Sequence, residues 1–123
     1  MTKVTYDKNN IFAKIIRKEA KANIVFENKH IICFKDIFPK APVHILIIPK
    51  GQFKDIFDFS INATAEEKKA IYDGFAKVIK IFELELDGCR IISNSGNHGR
   101  QEVPHLHFHL LGGKDIGAMI SKF

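Results

Sequence analysis

His105-Leu106-His107-Phe108-His109-Leu110-Leu111 is the stretch on which the reading of this chain turns. In an extended strand successive side chains alternate between faces, so the spacing predicts His105, His107 and His109 on one face and Leu106, Phe108 and Leu110 on the other. Each neutral imidazole carries one donor and one acceptor that need partners wherever water is excluded. Three rings in register are costly packing material, and the face they share is expected to meet a ligand. The plain alternative is a set of solvated or singly bonded histidines on an open strand.

Two chemistries suit such a face. Alternate residues on a strand lie roughly 6.6 Å apart, which separates the outer two histidines by about 13 Å at the backbone. Two of these rings can share one zinc ion, whose nitrogen ligands sit at roughly 2 Å, but a metal module would need a further ligand, His44 or His98, from elsewhere in the chain. The other chemistry is nucleophilic and acid–base work on a phosphate, for which imidazole is suited because it titrates near neutrality.

Working outward, 123 residues with 46% hydrophobic content are enough for one compact core and too few for two ordinary domains, so a single domain over residues 1–123 is expected. No apolar stretch approaches the roughly 20 residues that span a bilayer, and Met-Thr-Lys-Val-Thr-Tyr-Asp has no signal-peptide core, so a cytoplasmic protein without membrane partners is expected. Cys33 and Cys89 belong to no C-x-x-C pair and read as free thiols of a reducing compartment. The formal charge of +5 is dispersed, with lysines interleaved among acidic residues, which argues against nucleic acid as partner and leaves a modest field that favours anionic nucleotides.

Element signals give an α+β domain. Ile11 to Lys18 is a short helix capped by Asn10, followed by extended runs at Ile24 to Glu27, His30 to Asp36 and Val43 to Ile48, the first two joined by an Asn28-Lys29 turn. Val43 to Ile48 is apolar on both faces except for His44 and reads as a central strand. Phe53 to Phe59 is ambiguous and could form a helical turn. Thr64 and Glu67 make a capping box for the one long helix, with Ile71, Phe75, Val78, Ile79 and Phe82 at helical spacing through about residue 84. Cys89 to Asn94 and Pro104 to Leu111 complete a mainly antiparallel five-stranded sheet with one long and one short helix. Between them, Ser95 to Gly99 is a polar loop whose glycines allow backbone N–H groups close to an anion, with Asn94 and Gln101 adding neutral hydrogen-bonding groups.

Here the chain resembles the histidine triad family, whose hallmark is His-x-His-x-His followed by apolar residues. The likeness extends to Ile11-Phe12-Ala13-Lys14-Ile15-Ile16-Arg17-Lys18-Glu19, to Phe34-Lys35-Asp36-Ile37-Phe38-Pro39-Lys40-Ala41-Pro42-Val43-His44 and on through Lys50, and to Leu110-Leu111-Gly112-Gly113, all similar to the nucleotide-binding branch often called HINT. The resemblance implies a homodimeric purine nucleoside phosphoramidase of HIT-like fold that cleaves P–N bonds of nucleoside 5′-phosphoramidates without metal or other cofactor. It implies that His107 attacks phosphorus, His109 meets the α-phosphate and leaving group, His105 orients the nucleophile, and His44 supports it. It further implies a base pocket of Phe12, Ile15, Phe34, Ile37 and Leu46, ribose hydroxyls on Asp36, and Asn94, Gln101 and Glu102 toward the phosphate. From periodicity alone the apolar members of that pocket read equally as core.

Two departures stand out. Asn10-Ile11-Phe12-Ala13 occupies the place where several relatives carry Cys-Ile-Phe-Cys for structural zinc, so that metal site is expected to be absent. Arg100-Gln101-Glu102 replaces the Gly-Gln-Ser of many nucleotide-binding members, which bears on rate and on amine preference. The alternatives are a dinucleoside polyphosphate hydrolase, disfavoured by Gly112-Gly113, and a nucleotide-binding regulatory protein with vestigial hydrolysis.

Overall fold

The computed structural model describes residues 5–120. Among them the order is α1 (Ile11–Ile16), β1 (Ile24–Glu27), β2 (Ile31–Lys35), β3 (Val43–Pro49), α2 (Ile56–Asn62), α3 (Ala65–Ile81), β4 (Arg90–Ile92) and β5 (Phe108–Gly112). The strands form one sheet in the order β1-β2-β3-β5-β4, with every neighbouring pair antiparallel. This is the α+β architecture expected from the sequence, with β3 central. Helix α2 makes the short helices two rather than one. Its start is set by Asp55, whose carboxylate accepts from the Asp58 N–H, a cap that the Phe-rich stretch around it obscures.

The long helix begins as expected, with Thr64 and Glu67 bonding reciprocally to each other's backbone N–H. It ends three residues early. Glu83 takes a left-handed conformation at φ 56, its N–H bonds to Lys80 O at 3.2 Å, and the Leu84 N–H bonds to Ile79 O at 2.9 Å while the Leu84 side chain enters the core. That is a Schellman termination. Helix α1 closes likewise, with Lys18 at φ 65 and the Glu19 N–H on Lys14 O at 2.9 Å, so it stops at Ile16 and not Lys18.

The sheet divides the interior in two. On one face Ile31, Cys33, Ile45 and Ile47 pack with Leu106, Phe108 and Leu110 against Ala70, Ile71 and Val78 of α3. Gly74 lets that helix approach: a Cβ there would stand 2.5 Å from Ile31 Cδ1. The other face carries Phe12 and Ile15 of α1 over Ile32, Phe34, Leu46 and Ile48. Phe12, Ile15, Phe34 and Leu46 are thus core residues as well as candidate pocket residues.

The histidine segment departs most from expectation. Strand β5 starts only at Phe108, so His109 alone of the three lies on a regular strand, while Val103 to His105 form a bend. Alternation nevertheless persists, because the Leu106 N–H donates to Phe53 O at 2.8 Å and fixes that side chain in the α3-side core.

Candidate active site

A cavity of about 610 Å³ opens on the α1 side of the sheet. Its walls include Phe12, Ile15, Phe34, Ile37 and Leu46, with Asp36, His44, Asn94, Glu102, His107 and His109 supplying polar groups. The volume and the mixture of apolar wall with few polar groups suit a nucleotide-sized ligand. Ile37 is 82% exposed and stands at the mouth. Lys21, Lys35, Lys40, Arg100 and Val103 also line the space, none of which the sequence singled out for binding.

Two expected members lie elsewhere. Gln101 does not line the cavity. Its Oε1 accepts from the Gly96 N–H at 3.0 Å, and its Nε2 donates to Lys54 O at 2.6 Å and Val103 O at 2.9 Å, so its polar atoms brace the loop. His105, at 0% exposure, does not face the cavity either. Its ring is satisfied internally, with Nε2 2.8 Å from Pro49 O and Nδ1 2.5 Å from the Tyr6 hydroxyl. What reaches His107 from His105 is its backbone carbonyl, 2.7 Å from His107 Nδ1. His44 supports His109, with Nε2 3.0 Å from His109 Nδ1, rather than His105.

These partners fix the protons. A carbonyl only accepts, so His107 carries its hydrogen on Nδ1 and keeps a lone pair on Nε2, which has no hydrogen-bond partner among the described residues. The Lys40 N–H donates to His44 Nδ1 at 3.1 Å, so the His44 hydrogen is on Nε2 and is shared between His109 Nδ1 and Asp36 Oδ2, the latter 3.4 Å away. His109 Nδ1 therefore accepts, and its hydrogen is on Nε2. The rings of His107 and His109 are neighbours, with centroids 5.1 Å apart, and Phe12 abuts His107 edge-to-face at 4.9 Å. One ring thus offers a lone pair and the next an N–H.

Burial keeps all four imidazoles neutral at neutral pH. It pushes His109 down to about 4, helped by the neighbouring His107 and His44, and lowers His44 against the pull of Asp36. His107 is also lowered by burial, an effect opposed by its bond to the His105 carbonyl and by the carboxylates of Asp36 and Glu102. His105 falls to about 4 for the same reason.

Among the described residues, Asp36, His44 and His109 bring one ligand atom each within 4.8 Å of one another. A divalent ion there needs a lone pair on His44 Nε2, which requires moving that proton to Nδ1, against the Lys40 N–H. The tautomer therefore favours the hydrogen-bonded pair over ligation. His98 is exposed on the loop and joins no such group. At the other departure, Asn10 uses its side chain where the relatives' cysteine would stand: Oδ1 caps α1 through the Ala13 N–H, and Nδ2 donates to Tyr6 Oη and Asp7 O. Arg100 adopts φ 61, the left-handed conformation a glycine would take there without a side-chain penalty.

Residues 17–116 match the HIT domain. The chain is 43% identical over 114 residues to the purine nucleoside phosphoramidase of Escherichia coli (strain K12), covering 90% of this chain and 92% of that protein. It is also 43% identical to the 14 kDa zinc-binding protein of Zea mays, over 89% of this chain and 86% of that one. The solved HIT family hydrolase from Clostridium thermocellum superposes with a TM-score of 0.83 at 40% identity, covering 93% of this chain and 98% of that chain. The chain belongs to the HIT domain family.

Proposed function

We propose that the protein is a hydrolase that cleaves the P–N bond of purine nucleoside 5′-phosphoramidates through a nucleotidyl intermediate on His107. The observation that carries this reading is the proton assignment: a lone pair on His107 Nε2 beside an N–H on His109 Nε2, in a cavity of nucleotide size. The name of the 43% identical E. coli relative supports the substrate class. The bound anionic phosphate offsets the burial that keeps His109 neutral in the empty site, so His109 takes up a proton from solvent and the His44 N–H turns to Asp36. In the first half, His107 Nε2 bonds to phosphorus as the P–N bond breaks, and the cationic His109 gives its Nε2 proton to the departing nitrogen and becomes neutral. In the second half, water attacks phosphorus and returns a proton to His109, releasing the nucleoside monophosphate and the His107 lone pair. The base rests between Phe12, Ile15, Phe34, Ile37 and Leu46, Asp36 takes ribose hydroxyls, and Asn94 and Glu102 border the phosphate and leaving group.

The test is mass spectrometry of the protein quenched at low temperature with adenosine 5′-phosphoramidate. An adenylyl group on His107 is the expected result, and turnover with no adduct on any histidine would overturn the reading.

Glu102 bears on the leaving group. A carboxylate at the cavity wall attracts a cationic amine and repels phosphate. Glu102→Ser is expected to reduce the preference for lysine-like over neutral amines by up to about fivefold in kcat/KM, the scale of an exposed charge pair, while nucleoside monophosphate affinity changes less. Equal relative rates in both proteins would place the side chain away from the leaving group.

The working form is a homodimer joined through α3 and β4. No helix among the described residues is long and apolar enough to cross a membrane, and Cys33 and Cys89 are free thiols, which fits a cytoplasmic protein.

A further inference from the structure

Tyr6 lies 99 residues from His105 in the chain, yet its hydroxyl is 2.5 Å from His105 Nδ1, with the two rings edge-to-face at 5.6 Å. The direction of every proton in this group is determined. Pro49 O accepts, so His105 carries its hydrogen on Nε2 and has a lone pair on Nδ1. The Tyr6 hydroxyl must then donate to Nδ1, and it accepts in turn from Asn10 Nδ2 at 3.0 Å. Beyond His105 the series continues through the backbone: its carbonyl accepts from His107 Nδ1–H at 2.7 Å, the bond that keeps the His107 lone pair on Nε2.

His105 is 0% exposed, so its Nδ1 depends on the Tyr6 hydroxyl for a donor. Loss of the Tyr6 donor leaves a buried acceptor unpaired on a residue whose ring and carbonyl both serve as anchors. The ring can escape that cost only by shifting, and a shift moves the carbonyl that holds the His107 proton.

We propose that Tyr6 is a positioning residue, acting through His105 to hold His107 in the Nδ1–H tautomer with its Nε2 lone pair toward the cavity. This rests on the reading of His107 as nucleophile. Asn10 serves the same end by holding the Tyr6 hydroxyl in its donating orientation while it caps α1.

The experiment is Tyr6→Phe in the full chain, read in two ways. Steady-state turnover of adenosine 5′-phosphoramidate is expected to show kcat reduced about tenfold with KM within about twofold, the scale of one buried hydrogen bond acting on the transition state. Imidazole ¹⁵N spectra, which need no turnover, are expected to show His107 changing from a single Nδ1–H tautomer in the wild type to a mixture in the variant. Full-length protein with 3-fluorotyrosine at position 6, which keeps the hydroxyl, is expected to retain both wild-type properties. If His107 stays a single Nδ1–H tautomer in Tyr6→Phe, or if kcat is unchanged or falls only with the folded fraction, the proposal is wrong. A wild-type protein without phosphoramidate turnover would instead overturn the proposed function, and the tautomer spectra would still decide the role of Tyr6.

Discussion

His107→Asn is expected to lower phosphoramidate turnover by about 10⁴-fold while a nucleoside monophosphate still binds within a fewfold of the wild-type affinity. The amide keeps much of the polar bulk beside Phe12 and can donate to the His105 carbonyl through its NH₂ group. It has no nitrogen lone pair able to attack phosphorus, and loss of a nucleophile in a covalent mechanism costs several orders of magnitude. Single-turnover kinetics together with calorimetric titration of adenosine monophosphate checks both halves. Wild-type turnover in this variant would rule out covalent catalysis at residue 107.

The second large effect concerns assembly. Helix α3 packs mainly over β1, β2 and β3, and β4 ends the sheet as an open edge of three residues. Tyr72 on α3 is 74% exposed and Ile91 on β4 is 39% exposed, so both elements present apolar surface, and the backbone of β4 is open for pairing on its outer edge. Ile91→Lys or Tyr72→Glu is expected to raise the dimer dissociation constant about a hundredfold or more, since each would place a charge where the proposed interface buries an apolar side chain. Sedimentation should then show a 14.0 kDa monomer at micromolar concentration, with activity reduced at least about tenfold. A wild-type protein that sediments as a fully active monomer would remove both the dimer and its link to catalysis.

Much of this was legible in the chain because the signals are local. The Thr64 to Glu67 capping box, the Asn10 cap, the alternation around Phe108 and the run of apolar residues after His44 in β3 each depend on residues within a few positions of one another. The helix ends were not legible because Lys18 and Glu83 terminate them in the left-handed conformation without being glycine, so composition gives no warning. Helix α2 was hidden by aromatic residues that suit strand and helix alike, its real signal being Asp55 ahead of Asp58. His105 reads as ligand-facing because alternation puts it in register with His107 and His109, and Gln101 because it is polar and stands beside the motif. Their partners, Lys54 O, Pro49 O and Tyr6, are distant in sequence and two of them are backbone carbonyls, which no residue pattern displays. Tyr6 was missed for the same reason: nothing in the sequence links residue 6 to residue 105.

The proton assignment of the three cavity imidazoles, His44, His107 and His109, is held by main-chain groups, the Lys40 N–H at one end and the His105 carbonyl at the other. Every amino acid supplies a carbonyl, and every one but proline supplies an N–H. Substitution at residue 40 by anything other than proline therefore leaves the tautomer of His44, and through it that of His109, in place. The cavity walls at Ile37, Arg100 and Glu102 are then free to drift toward new bases or new amines while the reacting nitrogens stay as they are, so this design separates the evolution of specificity from the preservation of chemistry.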